Sequence, residues 1–402
     1  MKDLSRRTML AGSAVLGAAL SAPKLAWSAD ADTINLGVLA PLTGPYAFTG
    51  KSETAGWTDA VDYANSQGGA AGKKFNLMLL DDEYKVDVGV AAWKKALAGG
   101  PVHFAKADSI PLVKAIGPEN NDGAKMLLSA TANGSTLTNG DLHYFFIPGP
   151  TYSDLMDIVF NQVKAQHKGS DKPRVALVHS NIEFGRDPMP HALEKAKAMG
   201  IDIVLEDETE TTGVDVTASA IKLRDAKPDF VVFHGYAGNV WPEILRLSRD
   251  YGSKAQFMGT IWSVDPETVR GIGDAADGFI GAVPHTLNIK GNDAPTIKAI
   301  DGYLAKRDPN YPGYGGIGYM SAWAFMAILT AVFTSAVKAG KPLTGENLIA
   351  EVRKLQDWDS GGVFGPKVSI INDHVPYGQL YRYRVKDNKV TLETIAAGIK
   401  AI

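Results

Sequence analysis

Cysteine is absent from all 402 residues. That excludes disulfides, thiolate-bound zinc, iron–sulfur clusters, thiol catalysis and a lipid-modified N-terminal cysteine. An excess of one charge is also missing, since 41 basic and 44 acidic side chains give a net −3. Such a balance leaves no electrostatic footprint for nucleic acid and no polybasic patch for a membrane surface. The eight histidines form no H-E-x-x-H or other close metal-spaced pair, and no G-x-S-x-G elbow follows residue 31. No metal, no cofactor and no catalytic group is therefore expected. Long apolar runs are scarce too. Past the N-terminus the longest, 321–336, is broken by Ser321, Thr330, Thr334 and Ser335, short of the ~20 apolar residues of a membrane-spanning helix.

What remains is an ordinary globular composition, 45% hydrophobic and 21% charged, in a chain long enough for two or three domains. It opens on a twin-arginine block, Ser5-Arg6-Arg7-Thr8-Met9-Leu10. A weakly apolar stretch to Leu20 and small residues at 26–31 follow. Charged start, apolar middle and small-residue exit make residues 1–31 a twin-arginine export signal; the alternative is an amphipathic first helix of a cytosolic protein. The expected mature protein is soluble and lies outside the cytoplasm, where free ATP and NADH are scarce.

Apolar runs at 34–39, 75–80, 102–105, 126–128, 174–179, 201–205, 230–233 and 255–258 predict strands. Between them, 52–65, 86–97, 111–122, 152–164, 189–199, 216–225 and 240–251 predict helices. Near-continuous apolar strands separated by helices imply parallel sheets covered on both faces. Two such series imply two doubly wound, Rossmann-like α/β lobes. Helices at 317–339 and 347–355, and a hairpin across Asp387-Asn388, complete the chain. Pro/Gly segments at 148–150 and 284–292 look like crossings between lobes.

Three features need weighing. Gly44 to Ser52 nearly matches a phosphate-binding loop, but five residues rather than four separate its glycines; a nucleotide is not expected. Asp81-Asp82-Glu83 could hold a hard cation, but reads better as a strand end followed by a helix N-cap. His234 follows a strand and could face a cleft. The positive signal is a set of polar and aromatic clusters at predicted strand ends: Thr43 to Tyr46, Asp108-Ser109, Ser129 to Asn133, His234 to Tyr236 and Thr260-Ile261-Trp262. Ligands of open α/β sheets bind outside those ends.

Ile34-Asn35-Leu36-Gly37-Val38-Leu39-Ala40-Pro41-Leu42-Thr43-Gly44-Pro45-Tyr46 resembles the opening of the branched-chain amino-acid-binding proteins. These are leucine-binding-protein-like, type I periplasmic receptors of ABC importers. Asp62 to Gly69, Gly72 to Phe75, Asp81 to Glu83, Gln256 to Gly259 and Ala276 to Phe279 resemble the family's later landmarks, in order. The resemblance implies two lobes joined by three crossings that close on a small ligand. Lobe one would take 32–150 and 286–360, and lobe two 151–285 and 361–402. It also implies an ABC permease in the inner membrane as partner and a monomer in the periplasm. By motif position, ligand contacts fall on Ser109, Thr131 and Asn133, on Tyr46 and Thr49 in the opening loop, and on Phe184 and Tyr236 in lobe two.

This chain departs from the family where amino-acid binders commonly carry a Glu for the ligand ammonium. Thr260-Ile261-Trp262 stands there instead. An unpartnered buried ammonium is costly, so either Asp108 or Glu183 supplies the anion, or the ligand has no ammonium. Trp262 suggests a flat or aromatic ligand. The expectation is a non-enzymatic receptor for a branched-chain amino acid or a related small carboxylate, aromatic ones included. The alternatives are a ligand sensor of the same fold and an exported hydrolase.

Overall fold

The structure is a computed structural model describing residues 32–211, 215–236 and 240–401. Residues 1–31, expected to be a twin-arginine export signal, lie outside the described residues.

Two sheets organise the chain. The first contains β1 (Thr33–Ala40), β2 (Lys74–Asp81), β3 (Phe104–Ala107), β4 (Leu127–Ala130) and β5 (Phe145–Phe146). All are parallel, in the order β2-β1-β3-β4-β5. The second contains β6 (Arg174–Ser180), β7 (Asp202–Thr209), β8 (Phe230–His234), β9 (Gln256–Thr260), β10 (Ile280–Val283), β11 (Tyr377–Lys386) and β12 (Lys389–Lys400), in the order β12-β11-β10-β9-β8-β6-β7. The α/β class is as expected, with one departure: the second sheet is mixed, because β11 runs antiparallel to β10 and pairs with β12 as a hairpin. Asp387 and Asn388 turn that hairpin at φ 49° and 58°, the left-handed pair that a two-residue loop requires.

Strand order locates the ligand crevice of each sheet. From β1 the chain moves outward to β2, then reverses past β1 to β3. Right-handed crossovers then put helices Ala47–Ser66 and Val86–Ala98 on opposite faces. The reversal opens a crevice at the carboxyl ends of β1 and β3. In the second sheet the same reversal opens one between β6 and β8.

The core is covered on both faces. Ile34, Leu36 and Val38 of β1 and Val175, Ala176 and Leu177 of β6 are fully buried. Helix Ile317–Lys338 is the one described helix long and apolar enough to cross a membrane, yet it is mostly buried inside the protein. It lies along helix Ala47–Ser66. Gly56 permits that approach, since a Cβ there would sit 2.4 Å from the Tyr319 carbonyl oxygen. Trp57 stacks on Phe325 across the seam at 5.2 Å.

The chain passes between the sheets after β5, after β10 and before β11. The first and third passages are tied together: Ile147 N–H donates to the Asp373 carbonyl (2.9 Å) and Val375 N–H to that of Gly149 (3.2 Å). Pro284, in the second, lies against Gly149.

Two local expectations change. Helix Ala47–Ser66 begins five residues earlier than the apolar pattern suggests, so Gly50, Lys51 and Ser52 are helical rather than part of a phosphate-cradling loop. Gly50 serves packing, because a Cβ there would lie 2.1 Å from the Pro41 carbonyl oxygen. Asp81 and Asp82 end β2 and its turn but do not cap the next helix, whose N-cap is Lys85. Asp81 instead accepts from Leu42 N–H (2.9 Å), Glu83 N–H (3.0 Å) and the Thr43 hydroxyl (2.6 Å), bracing the loop after β1. These hydrogen bonds hold its carboxyl below the ordinary value despite the opposing effect of burial.

Candidate functional site

A cavity of about 190 Å³ lies where the two crevices face each other. Its walls come from the start of helix Ala47–Ser66 and the segments after β2, β3 and β4 on one side, from those after β6, β8 and β9 on the other, and from Tyr152 at the first crossing. Seven of the nine residues singled out in the sequence line it: Thr49, Asp108, Ser109, Thr131, Phe184, Tyr236 and Trp262. Tyr46 and Asn133 are not among the lining residues. Tyr46 packs beside the cavity on Tyr84 (4.4 Å) and Tyr236 (5.2 Å), with its hydroxyl 3.1 Å from that of Thr211. Asn133 is engaged in the first crossing, donating to the Pro150 carbonyl at 2.9 Å and accepting from Tyr152 N–H at 2.9 Å.

The sequence reading missed Glu53, Tyr84 and Tyr152, which also line the cavity. Glu53 had a usable signal: it stands one helical turn before Trp57, whose indole donates to it at 3.2 Å. Tyr84 is delivered by two consecutive left-handed residues, Glu83 (φ 51°) and Tyr84 itself (φ 58°). Strain of that kind concentrates at functional sites. Tyr152 opens helix Tyr152–Gln166 directly after a Thr151–Asp154 capping box.

The first-sheet wall is electrically unusual. Lys106 is fully buried in β3, with its ammonium 2.9 and 3.0 Å from the two oxygens of Glu53 and 3.6 Å from Asp108. Glu53 also accepts the Thr131 hydroxyl at 2.9 Å. Burial disfavours the Lys106 ammonium, but Glu53 and Asp108 outweigh it and hold the pKa above the ordinary lysine value. Burial pushes the Asp108 carboxyl up to about 8; Lys106 opposes this, while Asp82 and Glu53 add to it. Asp82, behind it, is raised to about 6, again chiefly by burial.

Ser109 is the N-cap of helix Ile110–Glu119, accepting from Leu112 N–H at 3.4 Å. That helix points its first turn at the cavity, where Ser109, Ile110 and Pro111 all line the wall. Pro111 has no N–H, and those of Leu112 and Val113 are taken by Ser109, so this end offers a carboxylate the Ile110 N–H and the helix dipole.

The second-sheet wall is aromatic. Phe184 meets Tyr236 at 5.0 Å and Tyr152 at 5.0 Å, and Tyr236 lies 6.3 Å from Trp262. Ile261 sets Trp262 in place at φ 30°, a conformation that a β-branched residue adopts only under strain. His234 does not face the cleft. It is fully buried behind Phe184, whose carbonyl lies 3.1 Å from Nε2. A carbonyl only accepts, so Nε2 carries the proton and Nδ1 accepts from the Thr260 hydroxyl at 2.6 Å. Burial keeps this ring neutral, lowering its pKa to about 3.

Several contacts cross the cleft. The Tyr236 hydroxyl donates to that of Tyr84 at 3.2 Å, and Lys114 pairs with Glu183. Asp187 accepts from Ser135 N–H (2.7 Å), Thr136 N–H (3.2 Å) and the Thr136 hydroxyl (3.1 Å). A larger groove of about 350 Å³, lined by Tyr63, Trp323 and Trp358 among others, lies away from all the strand ends that build this site.

A family profile described as "Periplasmic binding protein" matches residues 33–389. The chain belongs to the periplasmic binding proteins. Within them it is a leucine-binding-protein-like, type I member. The Leu/Ile/Val/Thr-binding protein of Salmonella typhimurium is 26% identical over 314 residues, covering 76% of this chain and 80% of that one. The leucine-, isoleucine-, valine-, threonine- and alanine-binding protein of Pseudomonas aeruginosa is 24% identical over 332 residues, covering 81% and 84%. Among solved structures, a branched-chain amino acid ABC transporter protein from Thermus thermophilus with bound valine superposes with a TM-score of 0.79 at 20% identity, covering 92% of this chain and 96% of that one. A solute-binding protein from R. palustris in complex with 4-hydroxybenzoate gives 0.77 at 19%, covering 92% and 98%. These two structures share the fold, one holding valine and the other 4-hydroxybenzoate.

Proposed function

We propose that the chain is the exported solute receptor of an ABC importer and closes its two lobes on one small molecule. Residues 1–31 would direct it through the twin-arginine route to the periplasm. Lobe one would comprise 32–150 and 286–360, and lobe two 151–285 and 361–402. The observation that carries this reading is the cavity between the two topological switch points, walled by both sheets. A site shared by two lobes couples occupancy to closure, because a ligand touching both stabilises the closed form over the open one. A permease in the inner membrane could read that closure. The site holds binding groups, and its function needs no reaction.

The cavity is smaller than the ~300–1,000 Å³ of drug-sized sites, which suits an amino acid or a compact aromatic acid. In this reading a ligand carboxylate meets Ser109 and the start of helix Ile110–Glu119. The ligand body rests on Phe184, Tyr236 and Trp262. Branched-chain amino acids and related small carboxylates, aromatic ones included, fit those requirements. Titration of the ligand-stripped protein and its Trp262→Ala variant tests the reading. Loss of the aromatic wall should weaken binding at least tenfold; unchanged affinity would remove Trp262 from the site.

A further inference from the structure

The cavity carries a charge imbalance that a carboxylate ligand alone does not answer. Among the described residues that line it, Glu53, Asp108 and Glu183 have carboxyl groups and none is basic. Glu183 is paired with Lys114 across the cleft. Glu53 has Lys106, Thr131 and Trp57 as donors. Asp108 is different. It is only 8% exposed, and its Oδ2 is buried without a hydrogen-bond partner. Its nearest cation, Lys106, stands at 3.6 Å, beyond hydrogen-bond reach, and is engaged with Glu53. Asp82 lies nearby in the same buried cluster and also has an unpartnered Oδ2. A buried carboxylate short of donors is costly unless something supplies one.

We infer that Asp108 is the anchor for a cationic nitrogen of the ligand, so that this site selects amines and amino acids over acids of the same shape. The inference rests on the receptor reading above and narrows it. The anion has then moved from the lobe-two position, where Trp262 stands, to lobe one. There it sits next to Ser109 and the start of helix Ile110–Glu119. An ammonium and a carboxylate on one carbon would meet Asp108 and that helix end side by side.

The arrangement has a protonic signature. In the empty site burial keeps the Asp108 carboxyl protonated up to about pH 8. The charged groups around it are Lys106, Glu53 and Asp82, and the nearby phenols of Tyr84, Tyr152 and Tyr236 are all raised by burial and stay neutral. An incoming ammonium takes the place of that proton, so binding at pH 7 releases it to solvent. A ligand with no cationic nitrogen releases none.

The test uses the chain after unfolding and refolding to strip bound ligand. Two shape-matched sets are titrated calorimetrically at pH 7 in two buffers of different ionisation enthalpy. One set is leucine, 3-methylbutylamine and 4-methylpentanoate; the other is phenylalanine, 2-phenylethylamine and 3-phenylpropanoate. In at least one set a nitrogen-bearing member should bind roughly ten- to a hundredfold tighter than its acid, the worth of a hydrogen bond to a charged group. It should also release a proton, and Asp108→Asn should erase the preference. Should that variant fail to fold, proton release by the unaltered chain still decides the matter. An acid binding as tightly as its amino partner, or a nitrogen-bearing ligand binding without proton release, overturns the inference and leaves the receptor reading standing. No binding by any of the six overturns both.

Discussion

Lys106 offers the sharpest test of how the first-sheet wall is held together. Its ammonium is fully buried, 2.9 and 3.0 Å from the oxygens of Glu53. Lys106→Met removes the cation with little change of volume and leaves Glu53 facing Asp108 and Asp82 with no counter-charge. Removing one partner of a buried pair costs about 3–5 kcal/mol, because the other charge stays buried. Glu53→Leu alone should cost about as much, for the mirror-image reason. The double variant should recover most of the loss, since replacing a whole buried pair with apolar groups is often close to neutral. Urea unfolding of all four proteins, followed by circular dichroism, gives the cycle directly. A Lys106→Met cost under about 1 kcal/mol, or a double variant no more stable than either single one, would refute the view that the pair stands or falls as a unit.

Other predictions follow from the same geometry. Asp187→Ala removes three hydrogen bonds across the cleft and should favour the open form, raising the Kd for ligand by about tenfold or more; small-angle scattering should show a larger radius of gyration. Gly50→Ala drives a Cβ into the Pro41 carbonyl and should lower stability by about 1–3 kcal/mol in urea unfolding. The folded chain retains a proton on Asp108 that the unfolded chain has lost above about pH 4. Its contribution is therefore full below that pH and disappears as pH rises to about 8, a loss on the order of a few kcal/mol. Asp108→Asn should flatten that part of the stability curve. His234 works in the opposite direction: neutral in the fold, it contributes above about pH 6.5 and loses that contribution as pH falls toward 3, a limb that His234→Gln should remove.

Much of the layout was legible because strand-end clusters are where a doubly wound sheet must bind. Asp108-Ser109, Thr131, Tyr236 and Trp262 all follow strands and all reach the cavity. The charge cluster was not legible for a specific reason. The apolar pattern places the third strand at 102–105, ending before Lys106, because lysine inside a buried strand is unfavourable in isolation. The actual strand, Phe104–Ala107, contains it, since Glu53 from a helix far away in sequence neutralises it. Strand β7 was likewise cut short at Leu205; its acidic end continues to Thr209 with Asp207 paired to Lys222. Strand β10 and helix Pro295–Arg307 went unseen because a four-residue strand containing Gly281 and a helix interrupted by Gly302 leave little periodic signal.

The central claim is that a small molecule bound between the two sheets holds the lobes together. The most direct measurement is a thermal-shift screen of the stripped chain against leucine, isoleucine, valine, phenylalanine and 4-hydroxybenzoate. The account predicts that at least one of them, at ~100 times its Kd, adds about 2.7 kcal/mol of stability, and that Trp262→Ala loses most of this gain. A folded chain that none of them stabilises would contradict it.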